Sequence, residues 1–165
     1  MRGRGGAGSA IWDRRPRVPA CPENSGRCGT TSGTDVTHYL DTSALVKLVV
    51  AEEETAALLA WVDGTESELV SSDLARTELL RAVRRAAPDR IVRARQVLDS
   101  VTLIDVTTQI FEEAARVDPP ALRTLDAIHL AVALDLGDEL ETIVTYDERL
   151  KEAATANGVV TNAPA

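Results

Sequence analysis

Cysteine, aromatic side chains and long apolar runs are all scarce in this chain, and each shortage removes a class of protein. The two cysteines, Cys21 and Cys28, both fall within the first 35 residues, with six residues between them in a Gly-rich stretch. That spacing fits no zinc site, and the rest of the chain has no thiol, so its fold must hold by packing. After residue 35 the aromatics are Tyr39, Trp61, Phe111 and Tyr146 alone, which makes base stacking a minor resource. No apolar run approaches the roughly 20 residues needed to cross a bilayer. The N-terminus also lacks the apolar core of a secretory signal. The expectation is a soluble, cytoplasmic protein with no membrane partner.

Positive charge is short as well. The 165 residues carry 18 Lys and Arg against 26 Asp and Glu, a formal net charge of -8. Residues 1–35 hold six Arg and three acids, which leaves 12 basic and 23 acidic side chains over 36–165, or -11. So acidic a body argues against nonspecific affinity for nucleic acid by charge alone, though not against a local basic face or a metal-bridged contact. A hydrophobic fraction of 44% and a charged fraction of 27% fit a globular domain, here one domain plus a tail. The tail, 1–35, scatters Gly, Arg, Ser, Thr and Pro without period and reads as disordered. Its charge opposes that of the body, and a valine codon can serve as a start; native translation beginning near Val36 is therefore a hypothesis, with the folded domain over 36–165.

The body alternates extended and helical patterns. Thr37 to Leu40 reads as a strand that delivers Asp41 to a helix opened by Thr42 and Ser43 and running through Val50. Helical spacing follows over 52–62, a short strand at Leu69 and Val70, and a helix from Leu74 to about Ala87, with Ser71, Ser72 or Asp73 as its cap. On that helix Glu78 borders the apolar stripe. A helix over 89–99, a strand over 101–106 and a helix over 107–117 come next. Thr124 can cap a helix that is apolar nearly all round, which places Asp126 in a dry setting. A strand over 142–145, a helix opened by Asp147 and an edge strand at Val159 and Val160 complete the order. Strands alternating with helices predict an α/β fold with a mostly parallel sheet and helices on both faces.

Four acids, Asp41, Glu78, Asp126 and Asp147, fall at strand ends, helix openings or the core border. In a parallel sheet the strand-to-helix junctions share one edge, so Asp41 and Asp147 would face one cleft and Asp126 could join them. Like charges about 5 Å apart repel by roughly 3 kcal/mol at an effective dielectric of 20, so something must compensate. Hard divalent cations do so, and a carboxylate-only site selects Mg²⁺ or Mn²⁺ over zinc. Such a site supports phosphodiester hydrolysis. The bland alternatives are caps for Asp41, Asp126 and Asp147 and an ion pair of Glu78 with Arg81. His129, one turn after Asp126 and on the same side, has two readings, a residue that assists the chemistry and a satisfied core histidine, of which so apolar a helix favours the second; Lys47 reads as a solvated helix residue.

Four segments carry a resemblance: Asp41-Thr-Ser43 after a strand, Glu78 within 71–79, Leu125-Asp-Ala-Ile-His-Leu-Ala131 and Thr145-Tyr-Asp-Glu-Arg-Leu150. In this order they resemble the PIN-domain ribonucleases, specifically the VapC-type toxins of bacterial toxin–antitoxin pairs. The resemblance implies a PIN-like three-layer α/β/α fold and a Mg²⁺- or Mn²⁺-dependent endoribonuclease with Asp41, Glu78, Asp126 and Asp147 as its acidic quartet. It also implies that Ser43 and Thr145 are supporting hydroxyls that orient carboxylates or water, and that the chain forms a homodimer held in check by a small VapB-like antitoxin.

Residues 76–95 hold seven arginines, the one basic concentration in the body. Arg81, Arg84, Arg85 and Arg93 are candidates for an RNA phosphate rim, and the lack of stacking residues points to a structured RNA such as a tRNA or rRNA loop. Two other classes stay open. An Asp-based phosphoacceptor or phosphatase would use Asp41 as nucleophile, but a phosphatase of that kind wants a second Asp where Ser43 stands. A noncatalytic RNA- or protein-binding module would need no ion.

Overall fold

A computed structural model describes residues 36–165; the tail read over 1–35, with Cys21 and Cys28, lies outside the described residues. Five strands, β1 (Thr37–Leu40), β2 (Glu68–Ser72), β3 (Thr102–Ile104), β4 (Leu140–Val144) and β5 (Thr161–Asn162), form one sheet in the order β3-β2-β1-β4-β5. Every pairing in it is parallel. Seven α-helices alternate with the strands: α1 (Thr42–Lys47), α2 (Thr55–Gly64), α3 (Leu74–Ala86), α4 (Ile91–Asp99), α5 (Thr108–Ala114), α6 (Thr124–Asp135) and α7 (Glu148–Ala156).

The period of two along each strand divides the core. Leu40 and Val144 point to one face, where they pack with Ala44 and Leu45 of α1, Leu58 of α2, Leu79 and Val83 of α3, and Val97 of α4. Tyr39, Val70 and Ile143 point to the other, against Ile110 of α5, Leu130 and Val132 of α6, and Leu150 of α7. The sheet is thus covered on both sides, the arrangement that parallel strands require. Helix α6 is buried from Ala127 to Ala133 without a break, in keeping with its apolar circumference. Gly137, at φ 55°, lets the chain leave it in a left-handed turn.

Several boundaries and caps differ from the sequence expectation. The first helix stops at Lys47 rather than Val50; its end is closed by turns in which Val49 N and Val50 N both donate to the Val46 carbonyl, and the Thr55 hydroxyl satisfies the Lys47 carbonyl at 2.9 Å. Residues 52–54 are not helical either; Glu52 and Glu54 turn back to pair with Lys47, which is buried instead of solvated, its Nζ 4.7 Å from the centre of the Tyr146 ring. Ser71 and Ser72 end β2 and cap nothing: Ser71 donates to the Leu40 carbonyl at 2.7 Å, and the Ser72 Oγ lies 3.3 Å from His129 Nδ1. Thr124 is the first residue of α6, and the residue before it, Arg123, provides no side-chain cap. The edge strand is Thr161–Asn162, not Val159 and Val160. The backbone of 159–160 instead approaches it, with Ile143 N donating to the Val160 carbonyl at 2.9 Å.

Candidate active site

The chain lays β2 and β3 on one side of β1 and β4 and β5 on the other, so the crevice between the carboxyl ends of β1 and β4 is the topological switch point where open α/β sheets bind ligands. Asp41 follows β1, and its amide extends the ladder by donating to the Val144 carbonyl at 3.0 Å. Thr145 follows β4. The two meet: the Thr145 hydroxyl donates to Asp41 Oδ2 at 3.2 Å, and Ser43 N donates to the same oxygen at 3.1 Å.

Ser43 and Thr145 form a directed relay. Tyr146 N donates to Ser43 Oγ at 2.8 Å, and the Thr145 proton goes to Asp41, so the Ser43 hydroxyl supplies the proton in the 3.3 Å contact with Thr145. Asp147 N also donates to Thr145 Oγ1, at 3.1 Å, which ties the start of α7 to Asp41.

The other acids arrive from helices. Glu78, on α3, accepts at Oε2 from the Thr42 hydroxyl at 2.6 Å and lies 2.7 Å from His129 Nε2. His129 Nε2 is in turn 3.9 Å from Asp41 Oδ1. Asp147 caps α7, its Oδ1 accepting from Arg149 N at 2.8 Å and Leu150 N at 3.4 Å. Asp126, in the first turn of α6, leaves its buried Oδ2 without a hydrogen-bond partner.

Capping and ligand roles are therefore not alternatives. Asp41 Oδ2, Glu78 Oε2 and Asp147 Oδ1 are taken by protein donors; among the described residues Asp41 Oδ1, Glu78 Oε1 and Asp147 Oδ2 accept no hydrogen bond, and Asp126 has one orphaned oxygen in the interior. A buried carboxylate oxygen with no donor is costly, and hard cations take such oxygens.

The electrostatics join all four. Burial, then the charges of Asp147 and Asp41, hold the Asp126 carboxyl above the usual range. Burial would lower His129, but the Glu78 hydrogen bond and the charges of Asp41, Glu78 and Asp126 prevail and raise it. Burial would raise Glu78, but hydrogen bonds from His129 and Thr42 bring it below its usual range. Among the described residues, no three His, Cys, Asp or Glu side chains already converge on a geometry that could hold an ion.

The sequence offers His129 both as a residue that assists the chemistry and as a core histidine, whereas nothing local marks Thr42, Tyr39 or Ser72 as its partners. His129 is buried and satisfied as expected, yet its partner is the quartet acid Glu78. Its position three residues after Asp126 was the available signal. Two further acids stand on the sheet edge, Asp73 after β2 and Asp105 after β3; Asp73 does not cap α3 with its side chain, and burial, then the neighbouring Asp105 carboxyl, raises it.

The arginines divide. Relative to Glu78, Arg85 and Arg81 are turned by about 20° and 60° around α3 and Arg84 by about 120°, so the first two extend the Glu78 face. All three are exposed, whereas Arg93 on α4 is partly buried.

A wholly parallel sheet covered on both faces, with Asp41 and Asp147 following the strands at its switch point, defines a class of open α/β protein. Residues 38–156 match the PIN domain, and the chain belongs to the PIN-domain family. Its relatives there are ribonucleases of Mycobacterium tuberculosis. It is 41% identical over 130 residues to Ribonuclease VapC47 (strain CDC 1551 / Oshkosh) and 44% identical over 129 residues to Ribonuclease VapC35 (strain ATCC 25618 / H37Rv), in each case covering 76% of this chain and 96% of the relative. Among solved structures it resembles Mycobacterium tuberculosis VapC20, described as a sarcin–ricin loop cleaving toxin, with a TM-score of 0.64 and 19% identity over 77% of this chain and 99% of that one. At that identity the likeness is one of fold.

Proposed function

We infer that this protein is a Mg²⁺- or Mn²⁺-dependent endoribonuclease toxin, with the catalytic domain over 36–165. The observation that carries the reading is the set of spare carboxylate oxygens around an orphaned Asp126 Oδ2 at the switch point, in a chain related to VapC ribonucleases. Asp41, Glu78, Asp126 and Asp147 would hold the ion. The donor set fits, being all oxygen and strongly anionic, and loading requires side-chain adjustment of the acids. Once bound, a divalent cation polarises a phosphate oxygen and favours ionisation of the attacking water.

The chain's own residues do the positioning. The relay from Tyr146 N through Ser43 and Thr145 fixes Asp41 Oδ2 and leaves Oδ1 to the cleft. Asp41 is buried while Glu78, Asp126 and Asp147 are partly exposed, so a phosphate approaches from the side of those three. Water adds to phosphorus, the bond to O3′ breaks, and the leaving oxygen takes a proton, giving 5′-phosphate and 3′-hydroxyl ends. Arg81 and Arg85 suit phosphates along the Glu78 face, with Arg84 and Arg93 as outlying members of the rim. Tyr39 is buried, Trp61 is tilted against His38 with ring centres 4.8 Å apart and Tyr146 lies under Lys47, which leaves Phe111 on α5 as the exposed ring among the described residues; with so little to stack on, recognition would rest mainly on backbone and shape, as for a structured tRNA or rRNA loop. A VapB-like antitoxin, a second copy of the chain and a cytoplasmic setting complete the proposal; among the described residues no helix is long and apolar enough to cross a membrane.

RNA cleavage by Asp41→Asn in Mg²⁺ or Mn²⁺ tests the assignment. A loss of about 100-fold or more is expected for removing a ligand, and cleavage at the wild-type rate would contradict it. Arg81→Ala/Arg85→Ala should raise KM several-fold, by about one counterion's worth of salt slope per side chain, with kcat little changed.

A further inference from the structure

We propose that His129 is a positioning residue that decides which oxygen Glu78 presents to a divalent cation, acting through the hydrogen-bonded chain Tyr39–His129–Glu78. The inference rests on the reading of Glu78 as a ligand and extends it to a residue outside the quartet.

The imidazole is gripped from both sides. Nδ1 lies 2.7 Å from the Tyr39 hydroxyl and 3.3 Å from Ser72 Oγ; Nε2 lies 2.7 Å from Glu78 Oε2 and 3.4 Å from Thr42 Oγ1. Tyr39 and Ser72 are both 0% exposed and belong to β1 and β2, so the ring is anchored to two adjacent strands of the sheet. The direction of the protons follows from the inventory of donors. Thr42 gives its hydroxyl proton to Glu78 Oε2, and an ionised carboxylate has none to return, so the hydrogen between the ring and Glu78 belongs to Nε2.

Two donors thus converge on Oε2 while Oε1 accepts nothing among the described residues. Glu78 is a flexible side chain, 22% exposed, on a helix face that borders solvent. Left alone it could turn either oxygen toward the cleft or swing out. Held by Thr42 and His129 it has one oxygen committed and the other defined in place. Outer partners of ligands behave in this way in known metal sites, where their loss weakens the metal by about 10- to 100-fold. A histidine needed only for the core could have bonded any acceptor; this one links Tyr39 on β1, Asp126's own helix and Glu78 on α3.

Calorimetric titration of the purified protein with Mn²⁺, alongside melting in chelator, separates positioning from packing. His129→Ala should bind Mn²⁺ about tenfold more weakly or worse, and His129→Gln, whose amide can still donate, should recover part of the loss. Tyr39→Phe, which keeps the ring but removes its anchor, should fall between wild type and His129→Ala. Unchanged or tighter Mn²⁺ binding by His129→Ala would overturn the proposal and leave the metal site standing, provided Asp41→Asn abolishes the binding seen in wild type. A wild type that takes up no Mn²⁺ would overturn both. If His129→Ala does not fold, Tyr39→Phe decides, and unchanged affinity there counts against the chain.

Discussion

The chain has two histidines, and each faces a glutamate with a different result. At the carboxyl edge of the sheet His129 Nε2 lies 2.7 Å from Glu78, the ring 2% and the glutamate 22% exposed. Toward the other edge His38 Nε2 lies 3.5 Å from Glu141, which is 55% exposed. Burial disfavours the charged form of both rings. At His38 burial wins over Glu141 and the ring is held below its usual value; at His129 the Glu78 hydrogen bond and three carboxylate charges win, and the ring is raised. One glutamate does not make an anionic field, whereas a cluster does. The carboxyl edge is distinctive because its acids act together on one enclosed spot.

The largest test of that contrast compares the two glutamates. Glu78→Gln should lower RNA cleavage by about 100-fold, the scale expected when a ligand and its partner are disturbed together. Glu141→Gln, an exposed acid beside a ring outside the site, should leave cleavage within about twofold. Equal effects would dissolve the distinction between the edges.

A smaller effect concerns pH. A raised folded-state value means His129 stabilises the metal-free protein below its unfolded value of 6.5 and that this contribution is lost as pH rises through the higher folded value. A lowered value gives His38 the opposite sign: stability falls as pH drops below 6.5, where the unfolded ring protonates first. His38→Gln should therefore flatten the acid side of the melting profile between pH 6.5 and 5, by about 1–3 °C at this chain length. A steeper acid side in that variant would reverse the assignment.

Much of this was legible in the chain. The strand Thr37–Leu40, the junction acids Asp41 and Asp147 and the buried α6 follow from local pattern, and all three stand in the structure. What escaped depended on distant partners. A serine at a strand end and a serine at a helix cap look alike in sequence, and only the neighbouring strand shows that Ser71 serves Leu40. Thr161 and Asn162 form the edge strand although Val159 and Val160 have the stronger β preference, because register with Ile143 and Val144 decides the pairing. The His129 to Glu78 contact spans 51 positions, beyond any local rule.

Asp126 offers the most direct test of the central claim, because its buried oxygen has no protein partner and its carboxyl is held high by burial and by Asp147 and Asp41. An acid kept for a cation should cost stability when the cation is absent. Melting of wild type and Asp126→Asn, each with chelator and with saturating Mn²⁺, exposes that cost. The account predicts that the variant melts higher in chelator, by about 2–4 °C, and loses the upward shift that Mn²⁺ gives the wild type. A variant that melts lower in chelator and still gains the full Mn²⁺ shift would contradict it.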